Sequence, residues 1–113
     1  KQYYQVEKIS KFVLSKAEDK PFNFALITGG NSDHGYRYIF EVANKMPVTI
    51  QNIAIDPKRT SVTDQLFVVC ESLPCHPLGA SLWEISGFGR AEIVGEWQVS
   101  VVKVYKLIRY QEK

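Results

Sequence analysis

Two cysteines and two histidines are the side chains of this chain best suited to metal or covalent chemistry, and three of the four crowd together at Cys70, Cys75 and His76. With His34 or Asp33 from the glycine-rich stretch GGNSDHG they could supply a tetrahedral zinc. The gap between the cysteines is loose for such a site, however, and no second cysteine pair exists. His76 reads more simply as an exposed loop residue. A cysteine or serine nucleophile would need a histidine and an orienting acid beside it. Cys75 with His76, and Asp33 with His34, are neighbours in sequence only, and no G-x-S-x-G element is present. Gly29, Gly30 and Gly35 could cradle a phosphate, but the stretch lacks the lysine and the following helix of a P-loop. No catalytic residue, metal or cofactor is therefore expected, and the chain is read as a non-enzyme.

A disulfide is the remaining chemistry of Cys70 and Cys75. Closing the short loop around Pro74 would restrict the unfolded chain by about 2–3 kcal/mol at best. Both cysteines flank one turn, which favours the bond, although spacing alone does not settle it against free thiols. A bond would suit a periplasmic or secreted protein, while free thiols would suit the cytoplasm.

Binding chemistry falls to the aromatics. Trp83 adjoins Leu82, which also wants burial, so an outward Trp83 is a candidate anchor for a partner. Phe88 lies between Gly87 and Gly89 and is expected at a turn tip with few partners of its own. These two, with Asn31, Asp33 and His34 of the GGNSDHG loop, form the expected protein-binding region. Tyr36, Arg37 and Tyr38 interleave aromatic and basic groups, as strands that stack single-stranded nucleic acid do. The shared parity of Tyr36, Tyr38, Phe40 and Val42 instead favours a core-facing row.

The elements that must position these residues read as strands. Tyr36 to Val42 and Val48 to Gln51 both alternate apolar with polar, on either side of a break at Asn44 to Pro47. Beyond Gln51 the parity slips, which predicts a β-bulge near Asn52. Phe22 to Thr28, Val62 to Cys70 and Leu82 to Ile85 alternate similarly. From Glu92 onward, Trp97, Val99 and Val101 are expected inward on a long strand running through Ile108. Tyr3 to Leu14 fits either an edge strand or a helix with Glu7 and Lys11 paired; its valine, isoleucine and phenylalanine favour the strand.

The 113 residues suffice for one core and suggest one domain over 1–113. An apolar fraction of 45% with 23% charged is that of an ordinary globular chain. The net charge of +2 argues against nucleic acid or an anionic membrane surface as partner. No apolar run approaches the ~20 residues of a membrane span. The sequence starts at Lys1 without a methionine or signal-like segment, as expected of a processed form or a piece of a longer protein.

The segment FEVANKMPVTIQNIAID, through Phe40, Val42, Asn44, Pro47, Val48 and Ile50, is similar to a strand–turn–strand pattern of immunoglobulin-like sandwich modules. LGASLWEI and GEWQVSV resemble later strands of such modules. The chain lacks the widely spaced cysteines around a core tryptophan of antibody domains. The resemblance implies a scaffold used for adhesion, assembly or ligand binding, and carries over no functional residue.

These features predict an all-β fold, an antiparallel β-sandwich of seven or eight strands, immunoglobulin-like in the broad sense. The expected function is a non-enzymatic module that binds another protein or itself, as a subunit or accessory domain of an exported bacterial complex. The alternative is a small β-barrel holding single-stranded nucleic acid on Tyr36, Arg37 and Tyr38.

Overall fold

A computed structural model describes residues 2–28, 33–71 and 74–110. The elements run α1 (Gln2–Ala17), β1 (Asn23–Ile27), α2 (His34–Val42), β2 (Gln65–Cys70), α3 (Trp83–Phe88), β3 (Ala91–Val99) and β4 (Val102–Arg109). The four strands form one open sheet in the order β1-β2-β4-β3. The expected all-β sandwich is thus overturned: the fold is mixed α/β, with three helices and a single four-stranded sheet. The immunoglobulin-like resemblance falls with it.

The largest correction concerns residues 36–42. They form a helix, burying Tyr36, Ile39 and Phe40 while Tyr38 is 55% and Val42 68% exposed. Positions i, i+3 and i+4 lie on one helical face, whereas a strand would have buried Tyr38 and Val42 together. The 2–17 segment is also helical rather than an edge strand. Ile9, Val13 and Ala17 form its buried stripe at four-residue steps, and Glu7 pairs with Lys11 at 2.9 Å across one turn. Residues 83–88, expected partly as strand and turn, form a short helix that Gly89 ends at φ 97°.

No strand forms over 48–51; Val48 donates to the Phe22 carbonyl at 2.8 Å and the chain continues as an extended cover over the sheet. The irregularity expected near Asn52 is a turn, and the β-bulge lies between Ile93 and Gly95 instead. The long C-terminal strand is a hairpin, β3 pairing antiparallel with β4. Ser100 at its turn takes φ 59°, and Val101 is exposed there rather than inward.

β1 and β2 are parallel, because α2 and the 43–64 connection carry the chain back to start β2 at the same end. β2 lies between β1 and β4, and all six of its residues are buried. That explains the unbroken apolar run Leu66 to Cys70, since a strand covered on both faces has no polar row. α1 and α2 cover one face through Ile9, Val13, Tyr36 and Phe40 on Phe24, Phe67, Val69 and Val104. The other face holds Ala25, Leu66, Val68 and Leu107 beneath Ile50, Val62, Ile85 and Phe88.

Gly95 shows how tightly the sheet margin is built. A Cβ there would sit 2.3 Å from the Trp97 ring, which is held edge-on to Phe12 at 5.4 Å with Lys16 over it at 5.0 Å. Gly95→Ala is therefore expected to destabilise the chain by about 1–3 kcal/mol through displacement of Trp97. Urea unfolding would measure it, with a quenched or shifted Trp97 fluorescence as the local signature.

Candidate functional site

Two places on the molecule gather groups suited to recognition. The first lies where the parallel strands end. β1 precedes α2, which packs on one face of the sheet, and β2 precedes α3, which packs on the other, so the helices that follow these adjacent strands diverge. Such a divergence at the carboxyl ends of parallel strands opens a crevice in α/β sheets. Here Thr28 and Glu71, each one residue past its strand, are joined: the Thr28 hydroxyl donates to Glu71 Oε1 at 3.0 Å. The Tyr36 phenol, from the buried face of α2, donates to Glu71 Oε2. Burial, followed by the hydrogen bond and charge of Glu71, pushes the Tyr36 pKa far above the ordinary phenol value. Tyr36 therefore stays protonated at neutral pH and serves as a donor that ties α2 to the end of β2.

Beside this cluster, Arg37 Nε meets Asp33 Oδ2 at 2.8 Å, both side chains being partly buried. Asp33 occupies the N-cap position of α2, yet its carboxylate is turned to Arg37 and makes no cap bond. The Cys70–Cys75 disulfide, with Cα atoms 6.2 Å apart, ties Cys75 to the end of β2.

The second place is the surface made by α3 and the 50–61 connection. Trp83 opens α3 and is 47% exposed, while its indole Nε1–H donates to the Ile50 carbonyl at 2.9 Å. The ring is thus held in one orientation with a face left open. From Ile50 the chain enters a turn built on Asn52, whose carbonyl accepts from Ile55 and Asp56 and whose Oδ1 accepts from Ala54 at 2.8 Å. Asp56 closes the far side: Oδ1 accepts from the Thr60 amide and hydroxyl, and Oδ2 accepts from the Ser61 amide at 2.7 Å and hydroxyl at 2.6 Å. On this braced turn Ile53 is 61% and Ile55 72% exposed. Arg59 Nη2 donates to the Gly87 and Phe88 carbonyls at 3.0 Å, joining the turn to the end of α3.

Hydrogen bonds from Ser61, then Thr60, hold the Asp56 carboxyl well below the usual carboxylate range. A depressed folded-state pKa contributes stability that is complete above the unfolded value near 3.8 and is lost as the pH falls through the lower folded one. Acidification through that window is expected to loosen the turn. Amide exchange of Thr60 and Ser61 should then rise relative to that of core amides in β2, and Asp56→Asn should show the faster exchange already at neutral pH.

The expected binding region is divided by this geometry. Trp83 is available at the surface, but Phe88 is 1% exposed and packs in the core beside Ile85, so it presents nothing to a partner. Asp33 and exposed His34 begin α2, on the opposite side of the sheet from α3. Asn31 lies outside the described residues. For nucleic acid, the stacking row has lost its strand: Tyr36 is buried, Arg37 is paired with Asp33, and only Tyr38 is exposed. Among the described residues no cluster of three His, Cys, Asp or Glu side chains could hold a metal ion. Among them, too, no helix is long and apolar enough to cross a membrane.

Sequence reading missed Ile53 and Ile55 as exposed groups because their parity invited burial. The available signal was their flanking: Asn52 and Asp56, residues whose short side chains bond nearby backbone, bracket them. Comparison of the chain with protein-family models, curated proteins and solved structures found no match.

Proposed function

We propose that the chain is a non-enzymatic protein-binding module that docks an apolar partner surface on Trp83, Ile53 and Ile55. The observation that carries this is the indole of Trp83, half exposed yet fixed through its N–H to the Ile50 carbonyl. An anchor already held in its bound orientation loses little freedom on association, and tryptophans of this kind dominate binding energies. The braced 52–61 turn offers two aliphatic side chains on the same terms. The Cys70–Cys75 bond supports an oxidising compartment, such as the periplasm or the exterior, as the place of action.

Trp83→Ala is expected to weaken partner binding by about thirtyfold or more, the size of a hot-spot loss of roughly 2 kcal/mol. The matched controls are Val101→Ser, at an exposed apolar position of the hairpin turn, and binding at raised salt, which an apolar interface should tolerate. A partner from the source proteome, or a second copy detected by sedimentation, that binds the Trp83→Ala and wild-type chains equally would remove the proposal.

A further inference from the structure

We propose that a second site, which shares Thr60 with the braced turn, lies at the opposite end of β2 from Glu71 and binds a small organic anion with an apolar body. A cleft of about 450 Å3 is lined there by Lys20, Pro21, Thr60, Thr63, Lys106 and Ile108. Lys106 is the first observation. On β4 it continues the row of Val102 and Val104, which packs under the helices, and it stands opposite Phe67 in register. α1 ends at Ala17, so this row runs on toward the α1–β1 turn, and the half-buried Lys106 and Ile108 line the cleft. A lysine in a core-facing row lays its stem along apolar surface and directs its ammonium toward polar surroundings, and no carboxylate among the described residues pairs with Lys106.

The second observation is backbone strain at both margins. Glu18 and Asp19 both have positive φ, 56° and 63°, and Lys20 N–H donates to the Ala17 carbonyl at 3.0 Å. That is the pattern of a type I′ turn, whose central positions favour glycine, asparagine or aspartate rather than glutamate. The buried Gln65 amide holds the turn in place, donating to the Ala17 and Pro21 carbonyls at 3.1 and 3.2 Å. On the far margin Arg59, immediately before Thr60, has φ 56°. Left-handed residues other than glycine persist where the surrounding structure holds them in place. Here they deliver Lys20 on one side and Thr60 on the other.

Charge defines the ligand. Among the described residues Lys106 has no ion pair, and Lys20 has only Glu18 at 3.9 Å, with both side chains exposed. Asp64 also lines the cleft at its solvent margin, 93% exposed, with Oδ1 accepting from Arg109 at 2.7 Å. The threonine hydroxyl protons are committed internally, Thr60 to Asp56 and Thr63 to Asn23 or the Gln65 carbonyl. The lysines are therefore the donors for a carboxylate or phosphate head, and Pro21 and Ile108 offer apolar surface to the body of the molecule.

The test is a 15N-resolved NMR titration of the full chain with phenyl phosphate and benzoate as probes, and with phenol and inorganic phosphate as their halves. Saturable shifts centred on the Thr60, Thr63, Gln65 and Lys106 amides are expected with at least one of the two probes, and the tighter of them assigns the head group. Lys20→Gln and Lys106→Gln should each weaken that probe about fivefold or more, the loss of one charge contact, while Lys8→Gln on exposed α1 leaves it unchanged. The spectrum away from the cleft reports that each variant is folded; if Lys106→Gln disturbs it throughout, Lys20→Gln decides alone. Unsaturable shifts scattered over surface lysines, equal binding by either half-molecule, or wild-type affinity in the folded variants would overturn the site.

Discussion

Replacing Phe40 by alanine is expected to destabilise the chain by about 3–5 kcal/mol, the usual cost of emptying a large aromatic site in a core. Phe40 is fully buried on α2, edge-on to Phe22 at 5.5 Å and to Phe24 at 5.1 Å. Its loss removes the ring that joins these two, leaving Phe22 only Phe67 and Phe24 only Tyr36 as aromatic neighbours among the described residues, and unseats α2 from the sheet. Since small domains have only about 5–15 kcal/mol in hand, the urea midpoint should fall sharply. Val42→Ala, two residues on, should change stability by no more than about 0.5 kcal/mol, because that side chain stands in solvent. The pair of measurements separates helix from strand. A strand would bury positions 40 and 42 on one face, and a comparable loss in both variants would contradict α2.

The spacing of Phe40 from Tyr36 explains why the sequence misleads here. Tyr36 and Phe40 are four apart, and four is both a whole number of strand repeats and close to one helical turn. Ile9 and Val13 in α1 share that ambiguity. The discriminating residue is Ile39, apolar but on the odd parity with Arg37 and Glu41; a helix buries it beside Tyr36 and Phe40, and a two-residue period cannot. Valine, isoleucine and aromatics lean toward strands, yet that preference is weaker than packing against a completed sheet. β1 and β2 were legible because their runs are short and punctuated by polar turns. The hairpin of β3 and β4 was legible as extended chain, but its turn at Ser100 and Val101 carries no glycine or asparagine to announce it.

Of the candidate sites, Trp83 could be singled out because two adjacent large apolar residues cannot both be covered by one short element. Phe88 was misjudged on its flanking glycines, which end a helix at Gly89 instead of lifting an aromatic into solvent. The pairing of Cys70 with Cys75 needed the bend around Pro74 to bring their Cα atoms to 6.2 Å, a distance that spacing alone does not set. Thr28, Tyr36 and Glu71 meet only because β1 and β2 are parallel neighbours. Parallel pairing is a long-range fact, and none of these residues signals it locally.

Asn23 carries the other large expected effect, and for the same long-range reason it is invisible in the sequence, where it looks like the polar half of an alternating strand. It is buried at the start of β1 with its whole amide in use. Nδ2 donates to the Val48 carbonyl at 2.8 Å and the Ser61 carbonyl at 3.1 Å, while Oδ1 accepts from the Thr63 amide at 2.8 Å and hydroxyl at 2.9 Å. One side chain thus fastens both ends of the 48–63 connection, and with it the base of the turn that displays Ile53 and Ile55. Asn23→Ala leaves two carbonyls and an amide short of a partner, each costing about 1–3 kcal/mol when buried. A net loss of roughly 3 kcal/mol is expected, partly relieved where water enters. Asn23→Asp should be no better, since it keeps the Thr63 bonds but turns a second carboxylate oxygen toward two carbonyls in a buried place. Urea unfolding measures the total, and amide exchange locates it: Thr63 should lose protection in Asn23→Ala ahead of Val68 in the middle of β2. If Thr63 stayed as protected as in the parent chain, Asn23 would not be what fastens this connection to the sheet.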